Sequence, residues 1–376
     1  MNSPTKVRTA IDLRHLTGIR GLAAWLVVLF HIRWLFYPLW PRWLLAATDK
    51  GYLAVDLFFM LSGFVLWLNY ADRLRSGGWA ETRRFWWRRF ARIWPLHAAV
   101  LLGFVVLAAA DALRGHAMQN APPAELPLNL ALLQNWGFTS ALTWNVPSWS
   151  ISTEAAAYLL FPLLVVICPW ERVSLAGLAA ITALLLINLH ILFLSNGEPG
   201  LGADIARYGL RRCLLEFALG NVMCLLWTRA RHLPDARRDL ACRLAAASCA
   251  LCLLAGWVFA LPETGFVPAA FFTGLLGLTL SRGLVARVIG ARLPHHLGEI
   301  SYSTYMSHYL LFILFKGAFV PNTGAHLGWP SMAGYLAMVL AASELLHYLV
   351  EMPAQRWLNR YGAQGSKRRF VNIAAK

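Results

Sequence analysis

The stretch LTGIRGLAAWLVVLFHIRWLFYPLW, residues 16–40, carries an arginine and a histidine into an apolar run that is long enough to cross a membrane. Arg20 and His31 are 11 residues apart. In a helix this is about three turns, so both side chains lie on one face, about 16 Å apart along the axis. An arginine at mid-bilayer costs about 2.5–3.5 kcal/mol on insertion scales. The pair therefore indicates a functional site; the alternatives are an arginine that snorkels to the membrane surface and a hydrogen-bonded core histidine.

The composition predicts a polytopic membrane protein. Of the 376 residues, 58% are hydrophobic and 14% are charged, and the mean hydropathy is +0.52, whereas soluble domains contain about 25% charged residues. The net charge of +16 does not predict nucleic-acid binding, because the basic residues fall between apolar runs, as the positive-inside rule requires. We expect contact with membrane lipids and none with nucleic acid. No cleavage site precedes the first run, so we expect no cleaved signal peptide.

Ten apolar runs are long enough to cross about 30 Å of hydrocarbon, which predicts an all-α protein with ten transmembrane helices. The longest predicted outer gap, residues 112–148, is rich in aromatic and polar residues. The ten spans lie near residues 16–36, 51–70, 93–111, 149–167, 173–194, 209–227, 241–260, 265–281, 297–316 and 331–350.

Basic residues set the predicted orientation. With the amino terminus inside, 24 of the 34 Lys and Arg residues fall in inner segments and 4 fall in outer gaps. A missed helix in the middle of the chain would destroy this asymmetry, so we predict that both termini are cytoplasmic. Residues 1–363 are predicted to form one transmembrane domain, and residues 364–376 a short basic cytoplasmic tail.

Seven sequence blocks, spread over most of the chain, carry a family resemblance. They are LTGIRGLAAWLVVLFH (16–31), GYLAVDLFFMLSGFVL (51–66), FWWRRFARIWPLH (85–97), WSISTEAAAYLLFP (149–162), RRCLLEFALG (211–220), LGEISYSTYMSH (297–308) and LVEMPAQRW (349–357). In this order they resemble the acyltransferase 3 family, integral-membrane enzymes that O-acylate sugars of bacterial surface polysaccharides and some secreted small molecules. The resemblance implies an enzyme of the bacterial cytoplasmic (inner) membrane that uses acyl-CoA as a co-substrate, with no bound cofactor and no metal.

The resemblance also assigns roles in the first two spans. It implies that His31 is the catalytic base, that Arg20 is important for activity, and that Asp56 matches the aspartate of the second-helix block. The chemistry agrees, because acyl transfer to a hydroxyl needs a base, and an imidazole with an ordinary pKa of about 6.5 can accept the proton near neutral pH. Arg20 is able to hold a phosphate of CoA or to orient the base.

The loop and helix around Pro95 carry the predicted donor site. The family's Arg-x-x-Arg pattern matches Arg89 and Arg92, and it implies contact with acyl-CoA from the cytoplasm. Arg88 lies on the same helical face, so the three arginines form a candidate phosphate clamp. The alternative is a topology signal that also binds anionic lipids. His97 stands where many family members have tyrosine.

Acidic residues inside the spans are few. Asp56 and Glu154 are both predicted in the outer half of the membrane, where they either bind the acceptor and orient His31 or form a structural ion pair with an arginine such as Arg33. Glu216 follows Arg212 by 4 residues, and we expect a structural pair there.

The ninth span presents polar groups in two directions. Glu299, Ser301 and Tyr302 match the family's Glu-x-Ser-Tyr block, which adds Glu299 to the candidate catalytic residues. Ser301, Tyr305 and His308 fall on one helical face, and Glu299 lies opposite His308. We assign Ser301, Tyr302, Tyr305 and His308 to the acceptor side or to supporting roles. In the tenth span the stripe of Glu344, His347 and Glu351 is predicted to pack against other helices.

The sequence thus predicts a membrane acyltransferase that moves an acyl group, acetyl being the expected one, to a hydroxyl of a lipid-linked or surface glycan. His31 is the base, Arg20, Arg89 and Arg92 engage the donor, and Asp56, Glu154 and Glu299 shape the site. A macrolide or similar small molecule is an alternative acceptor. A transporter or flippase, in which the buried histidine, arginine and aspartate form a path, is the alternative from another functional class.

Overall fold

The described part of the protein is built of helices, as the sequence predicts. The computed structural model describes residues 13–361 except 117, 199 and 321–326, and these residues contain no strand. The predicted tail, 364–376, lies outside the described residues. The helices are α1 (Arg14–Ile32), α2 (Arg42–Asp49), α3 (Ala54–Leu113), α4 (Leu126–Leu130), α5 (Trp149–Val166), α6 (Leu175–Leu194), α7 (Ile205–Ala230), α8 (Asp235–Val258), α9 (Glu263–Leu280), α10 (Leu284–Ile289), α11 (Arg292–Glu299), α12 (Ser301–Phe319) and α13 (Trp329–Leu346), which continues through a π-turn, His347–Glu351.

Each of the ten predicted spans contains helix, although some boundaries differ. The first span ends at Ile32 and not at residue 36, and the ninth is divided at Ile300 between α11 and α12. Eight segments of the described chain are long and apolar enough to cross a membrane. One of them contains two predicted spans, because α3 runs through both and is broken at Gly78, whose φ of +54° favours glycine. The count of ten crossings and the orientation stay predictions.

The helices divide into an inner and an outer group. In the most apolar 18-residue stretch of each helix, 61% is buried in α5 and in α7, against 17% in α6 and 11% in α8. Side chains of α1, α3, α5, α7 and α12 form one continuous apolar core. A helix that exposes apolar side chains all round is suited to lipid. Helices α6 and α8 therefore lie at the outside of the bundle, and the polar groups of interest lie on the inner helices.

Two close helix contacts depend on glycine. A Cβ on Gly21 of α1 would lie 2.5 Å from the backbone nitrogen of Gly298 in α11, and a Cβ on Gly63 of α3 would overlap the backbone of α7. Small residues allow helix backbones to approach this closely in membranes. These contacts fix α1 against α11, and α3 against α7.

The described residues of the predicted outer gap, 112–148, fold back onto the helix ends. Nε2 of the buried His97 lies 2.8 Å from the carbonyl oxygen of Asn129, and the Asn145 side chain donates to the carbonyl of Met306 at 3.1 Å. His97, where the family pattern has tyrosine, thus anchors this loop. The loop is held against α12 at Met306, two residues before His308.

Candidate active site

His31 and His308 form a pair between α1 and α12. Nδ1 of His31 lies 2.9 Å from the carbonyl oxygen of Val27 and 3.3 Å from Nε2 of His308. Because a carbonyl can only accept, this Nδ1 carries a hydrogen, and in the neutral ring Nε2 keeps its lone pair. Nδ1 of His308 lies 2.7 Å from the carbonyl oxygen of Tyr305, so the same argument makes Nε2 of His308 an acceptor. The pair leaves Nε2 of His31 as a basic nitrogen.

Aromatic rings hold His31 in place without enclosing it. The ring centroids of Phe30, His308 and Tyr309 lie 5.1, 4.9 and 5.4 Å from that of His31. His31 is partly exposed, whereas His308 is fully buried. His31 therefore lies at the edge of the packed core, and His308 contacts it from within the core.

Arg20 lies three turns from His31 and contacts the start of α12. Its Nη2 donates to Oγ of Ser301 at 3.4 Å, and Ser301 donates to the carbonyl of Gly298 at 2.7 Å. The structure thus brings together Arg20 and Ser301, two predicted site residues that are 281 positions apart. Arg20 also lines the large cavity described below.

Asp56 is held by an arginine and does not contact His31. Nε and Nη2 of Arg212 donate to the two carboxylate oxygens of Asp56 at 2.7 and 2.5 Å, and Nη1 donates to the carbonyl of Leu201 at 2.6 Å. Asp56 and Arg212 are 0% and 1% exposed. Glu216 lies 3.8 Å from Arg212, as expected for an i,i+4 pair. Asp56 is thus half of a buried, bidentate ion pair.

The alternative of a structural ion pair with a span arginine is confirmed for Asp56, but the arginine is Arg212 and not Arg33. Arg33 instead binds Asp49 of α2, which the chain reaches directly after the first span. Asp56 pairs with Arg212 because α3 and α7 pack closely, at Gly63 and its contacts in α7. The chain folds back at α2 to supply a nearer carboxylate for Arg33.

Neither Glu154 nor Glu299 has a hydrogen bond or ion pair with His31 or His308 among the described residues. Glu154 accepts from the hydroxyl of Tyr158 at 2.6 Å and interacts electrostatically with Arg20. The Glu299 side chain is 51% exposed and lies 3.7 Å from Nδ1 of His296. A role for either carboxylate in the chemistry stays a prediction.

The three arginines of the predicted donor clamp have different surroundings. Arg92 binds Glu351, which also accepts from Ser303 at 2.7 Å. Arg89 donates to the hydroxyl of Tyr70 at 3.1 Å. Arg88 has no ion-pair or hydrogen-bond partner among the described residues. The carboxylate on Arg92 was missed by the sequence analysis, although Glu351 belongs to the stripe that was predicted to pack against other helices, and this prediction is confirmed.

The tyrosines of α12 have structural partners. The hydroxyl of Tyr302 donates to the carbonyl of Ile93 at 2.5 Å. The hydroxyl of Tyr305 lies 3.0 Å from the carbonyl of Pro147 and 2.8 Å from Oγ of Ser150. Of the four predicted acceptor-side residues, His308 alone contacts His31 in the described part of the chain. Helix α12 therefore joins α1, α3 and α5 through a different residue in each case.

A cavity of about 1820 Å³ lies at the end of the bundle where α1 begins and α7 and α9 end. Its lining includes residues from five predicted inner segments, so the structure gathers these segments at one end. On α1, Arg20 is the lining residue furthest from the start of the helix. Arg88, Arg89 and Arg92 are not among the described lining residues. The lining arginines are Arg14, Arg20, Arg73, Arg231, Arg238, Arg282 and Arg287.

Comparisons with known proteins agree with the sequence blocks. A family model described as an acyltransferase domain matches residues 13–348. The chain is 30% identical to an acyltransferase, MdmB, of Streptomyces mycarofaciens, over 93% of each chain. It is 28% identical to a putative membrane-bound transacylase, BcsY, of Komagataeibacter xylinus, over 92% of this chain and 84% of the relative.

A further relative carries an acceptor in its name. The chain is 24% identical to a putative peptidoglycan O-acetyltransferase, YrhL, of Bacillus subtilis, over 90% of this chain. It spans 54% of the length of that relative. No solved structure matches the chain significantly.

Proposed function

The chain belongs to the acyltransferase 3 family of membrane proteins, and we propose that it moves an acyl group from acyl-CoA to a hydroxyl of a lipid-linked or cell-surface glycan. Acetyl is the expected group, since several relatives are named O-acetyltransferases. The observation that carries the proposal is the partly exposed His31, whose Nε2 is the basic nitrogen. We place the enzyme in the bacterial cytoplasmic membrane.

His31 is the general base of the proposed reaction. Its Nε2 takes the proton of the acceptor hydroxyl while the hydroxyl oxygen attacks the thioester carbonyl carbon. The carbon–sulfur bond then breaks, and the leaving thiolate of CoA takes the proton from His31. While His31 is charged, its Nδ1–H donates to the Val27 carbonyl and to Nε2 of His308, which stabilises the imidazolium. His308 is thus a positioning residue.

The proposed orientation separates the two substrates. Helix α1 begins at Arg14 on the inner side and ends at Ile32, so His31 lies in its last turn, toward the outer side. The acceptor then approaches His31 from outside, and the donor extends from inside past Arg20. This arrangement suits a glycan that is modified outside the cytoplasm with a donor made inside.

A thiol-release assay tests the proposal. The purified protein in detergent is given acetyl-CoA and an extract of lipid-linked glycans, and free CoA thiol is measured with and without the extract. We expect release that depends on the extract, together with acetylated glycan. A transporter or flippase would move substrate in proteoliposomes without consuming acetyl-CoA, and that result would overturn the proposal.

A further inference from the structure

The large cavity at the predicted cytoplasmic end is strongly basic. Besides seven arginines, its described lining includes His15 and His232, against two acidic residues, Asp72 and Glu171. Both acidic residues are within ion-pair distance of Arg75, which is not among the lining residues. The two carboxylates therefore do little to neutralise the arginines of the cavity.

Five of the seven arginines of the lining fall into two groups. Arg238 forms an ion pair with Asp235 at 2.7 Å, and Arg282 lies 3.7 Å from the same carboxylate. Three others, Arg73, Arg231 and Arg287, have no carboxylate within ion-pair distance among the described residues. We call these three the cavity arginines. Their charge is not compensated by the part of the protein that the structure describes.

The cavity arginines come from three separate parts of the chain. Arg73 extends from α3, Arg287 belongs to α10, and Arg231 directly follows α7. The guanidinium of Arg231 lies 4.9 Å from the ring centroid of Trp227, which also lines the cavity and is 4% exposed. A cation over an aromatic face is held in place by the ring. Charges from three elements thus converge on one cavity, and at least one of them is held by a buried ring.

We propose that this cavity binds the phosphate-rich nucleotide end of the CoA donor, with the cavity arginines contacting its phosphates. The inference rests on the proposed function, because it assigns a binding site to the donor of that reaction. Guanidinium groups bind phosphate oxygens through two parallel hydrogen bonds, and such charge-assisted bonds are stronger than neutral ones. The volume of about 1820 Å³ exceeds that of ligand pockets in general, roughly 300–1,000 Å³, and so accommodates a large nucleotide.

The position of the cavity relative to His31 fits a long donor. Arg20 is the residue of α1 in the cavity lining that is nearest to His31 in sequence. His31 lies 11 residues further along α1, about 16 Å along the axis. The long, flexible pantetheine arm of CoA separates its phosphates from its thioester. A donor bound by its nucleotide in the cavity therefore extends its thioester past Arg20 toward His31. The nucleotide site differs from the clamp of Arg88, Arg89 and Arg92 that the sequence predicts.

Anionic lipid headgroups present the same phosphate chemistry, so the walls of the cavity decide between the two sources. The lining comes mainly from α1, α3, α7, α9 and α10; of the outer helices, α6 contributes no residue and α8 contributes Arg238, near its first turn. Trp67 and Trp227 are buried within the bundle, and Arg20 contacts Ser301 of the inner helix α12. A site between inner helices suits a ligand that enters from water.

Binding of CoA to the whole protein, in nanodiscs of uncharged lipid, tests the inference. The variant Arg73→Gln/Arg231→Gln/Arg287→Gln removes the cavity arginines, and Arg42→Gln/Arg114→Gln/Arg207→Gln removes three arginines from the predicted outer gaps as a matched control. We expect the Kd for CoA to rise at least about tenfold in the cavity variant and to stay unchanged in the control. The rise should shrink at high salt, since salt screens exposed charges. Thermal unfolding of both variants checks that they fold.

The outcomes separate this inference from the proposed function. CoA binding that is equal in the wild type and the cavity variant would overturn the inference, while thiol release in the transfer assay would still support the acyltransferase. A wild type that fails to bind CoA, but takes up phosphatidylglycerol through the cavity arginines, would assign the cavity to lipid. Acetyl-pantetheine, which lacks the nucleotide, serves as the matched donor: its rate of transfer should be equal in the wild type and the cavity variant.

Discussion

The Asp56–Arg212 pair and the His31–His308 pair inside the helix bundle differ in how far their hydrogen-bonding capacity is used. In the Asp56–Arg212 pair, both carboxylate oxygens and three guanidinium nitrogens have partners, and both residues are buried. In the His31–His308 pair, three ring nitrogens have partners, and Nε2 of the partly exposed His31 is left over. The comparison shows that an ionisable group inside a membrane protein is able to have a structural role. An unused lone pair in reach of substrate is the feature that indicates chemistry.

The largest effect is expected from breaking the structural pair. Arg212→Leu leaves the Asp56 carboxylate buried without a partner, which should lower the free energy of unfolding by about 3–5 kcal/mol. Thermal unfolding of the purified protein in detergent measures this loss. The double variant Asp56→Leu/Arg212→Met should recover most of it, because an apolar pair needs no charge compensation. Full stability of Arg212→Leu, with transfer lost, would contradict the structural role and assign the pair to function instead.

The second effect concerns His308. His308→Leu removes the acceptor that faces Nδ1–H of His31; a hydrogen bond to a charged group contributes about 1.5–3 kcal/mol, so kcat should fall by about 10- to 100-fold. His308→Gln, whose amide oxygen is able to accept the same hydrogen, should restore part of the rate. Steady-state kinetics with acetyl-CoA measures both variants. Equal rates for the two would contradict the positioning role.

A third prediction concerns the packing that places Arg20 beside Ser301. Gly21→Ala puts a Cβ against the backbone of α11, and overpacking of this kind costs about 1–3 kcal/mol. The matched control is Gly334→Ala in α13, because no atom lies within 4 Å of a Cβ there. Thermal unfolding should show a loss for the first variant and none for the second. A loss in both would mean that glycine matters for another reason.

The smallest effect is expected from a third pair, His296 and Glu344, at the predicted inner end of the helices. Nε2 of His296 lies 2.5 Å from Oε1 of Glu344, and this hydrogen bond raises the pKa of His296. A raised pKa stabilises the fold below the ordinary pKa of histidine, about 6.5, and the stabilisation is lost as the pH rises through the higher value. The wild type should thus lose slightly more stability between pH 6 and pH 9 than Glu344→Gln does. Identical pH profiles of stability for the two proteins would show that the His296–Glu344 contact does not stabilise the fold.

The sequence predicts the helices of the fold better than it predicts which polar side chains contact each other. Apolar runs place helix in all ten predicted spans, because hydrocarbon requires internally satisfied backbone over a fixed length. The continuation of α3 through two predicted spans, with a break only at Gly78, was not predicted. The periodicity of the apolar residues gives no sign of this continuation.

The partners of the polar residues were harder to predict, because spacing along the sequence says nothing of which helices become neighbours. His31 and His308 were both named, but they lie 277 residues apart, and their contact was not predicted. One signal was available for Asp56 and Arg212: each lies near the predicted outer end of its span, hence at a similar depth. The cavity arginines looked like topology signals, and only the fold shows that they converge.

The most direct test of the role of His31 compares two histidine variants in the same assay. His31→Ala should lower acetyl transfer from acetyl-CoA by about 10²- to 10⁴-fold, the usual contribution of a general base, while leaving the protein folded. His190→Ala is the matched control, because His190 lies on α6 and bonds Thr264 at 2.9 Å, away from the site. We expect normal transfer by this control. Normal transfer by His31→Ala would contradict the account.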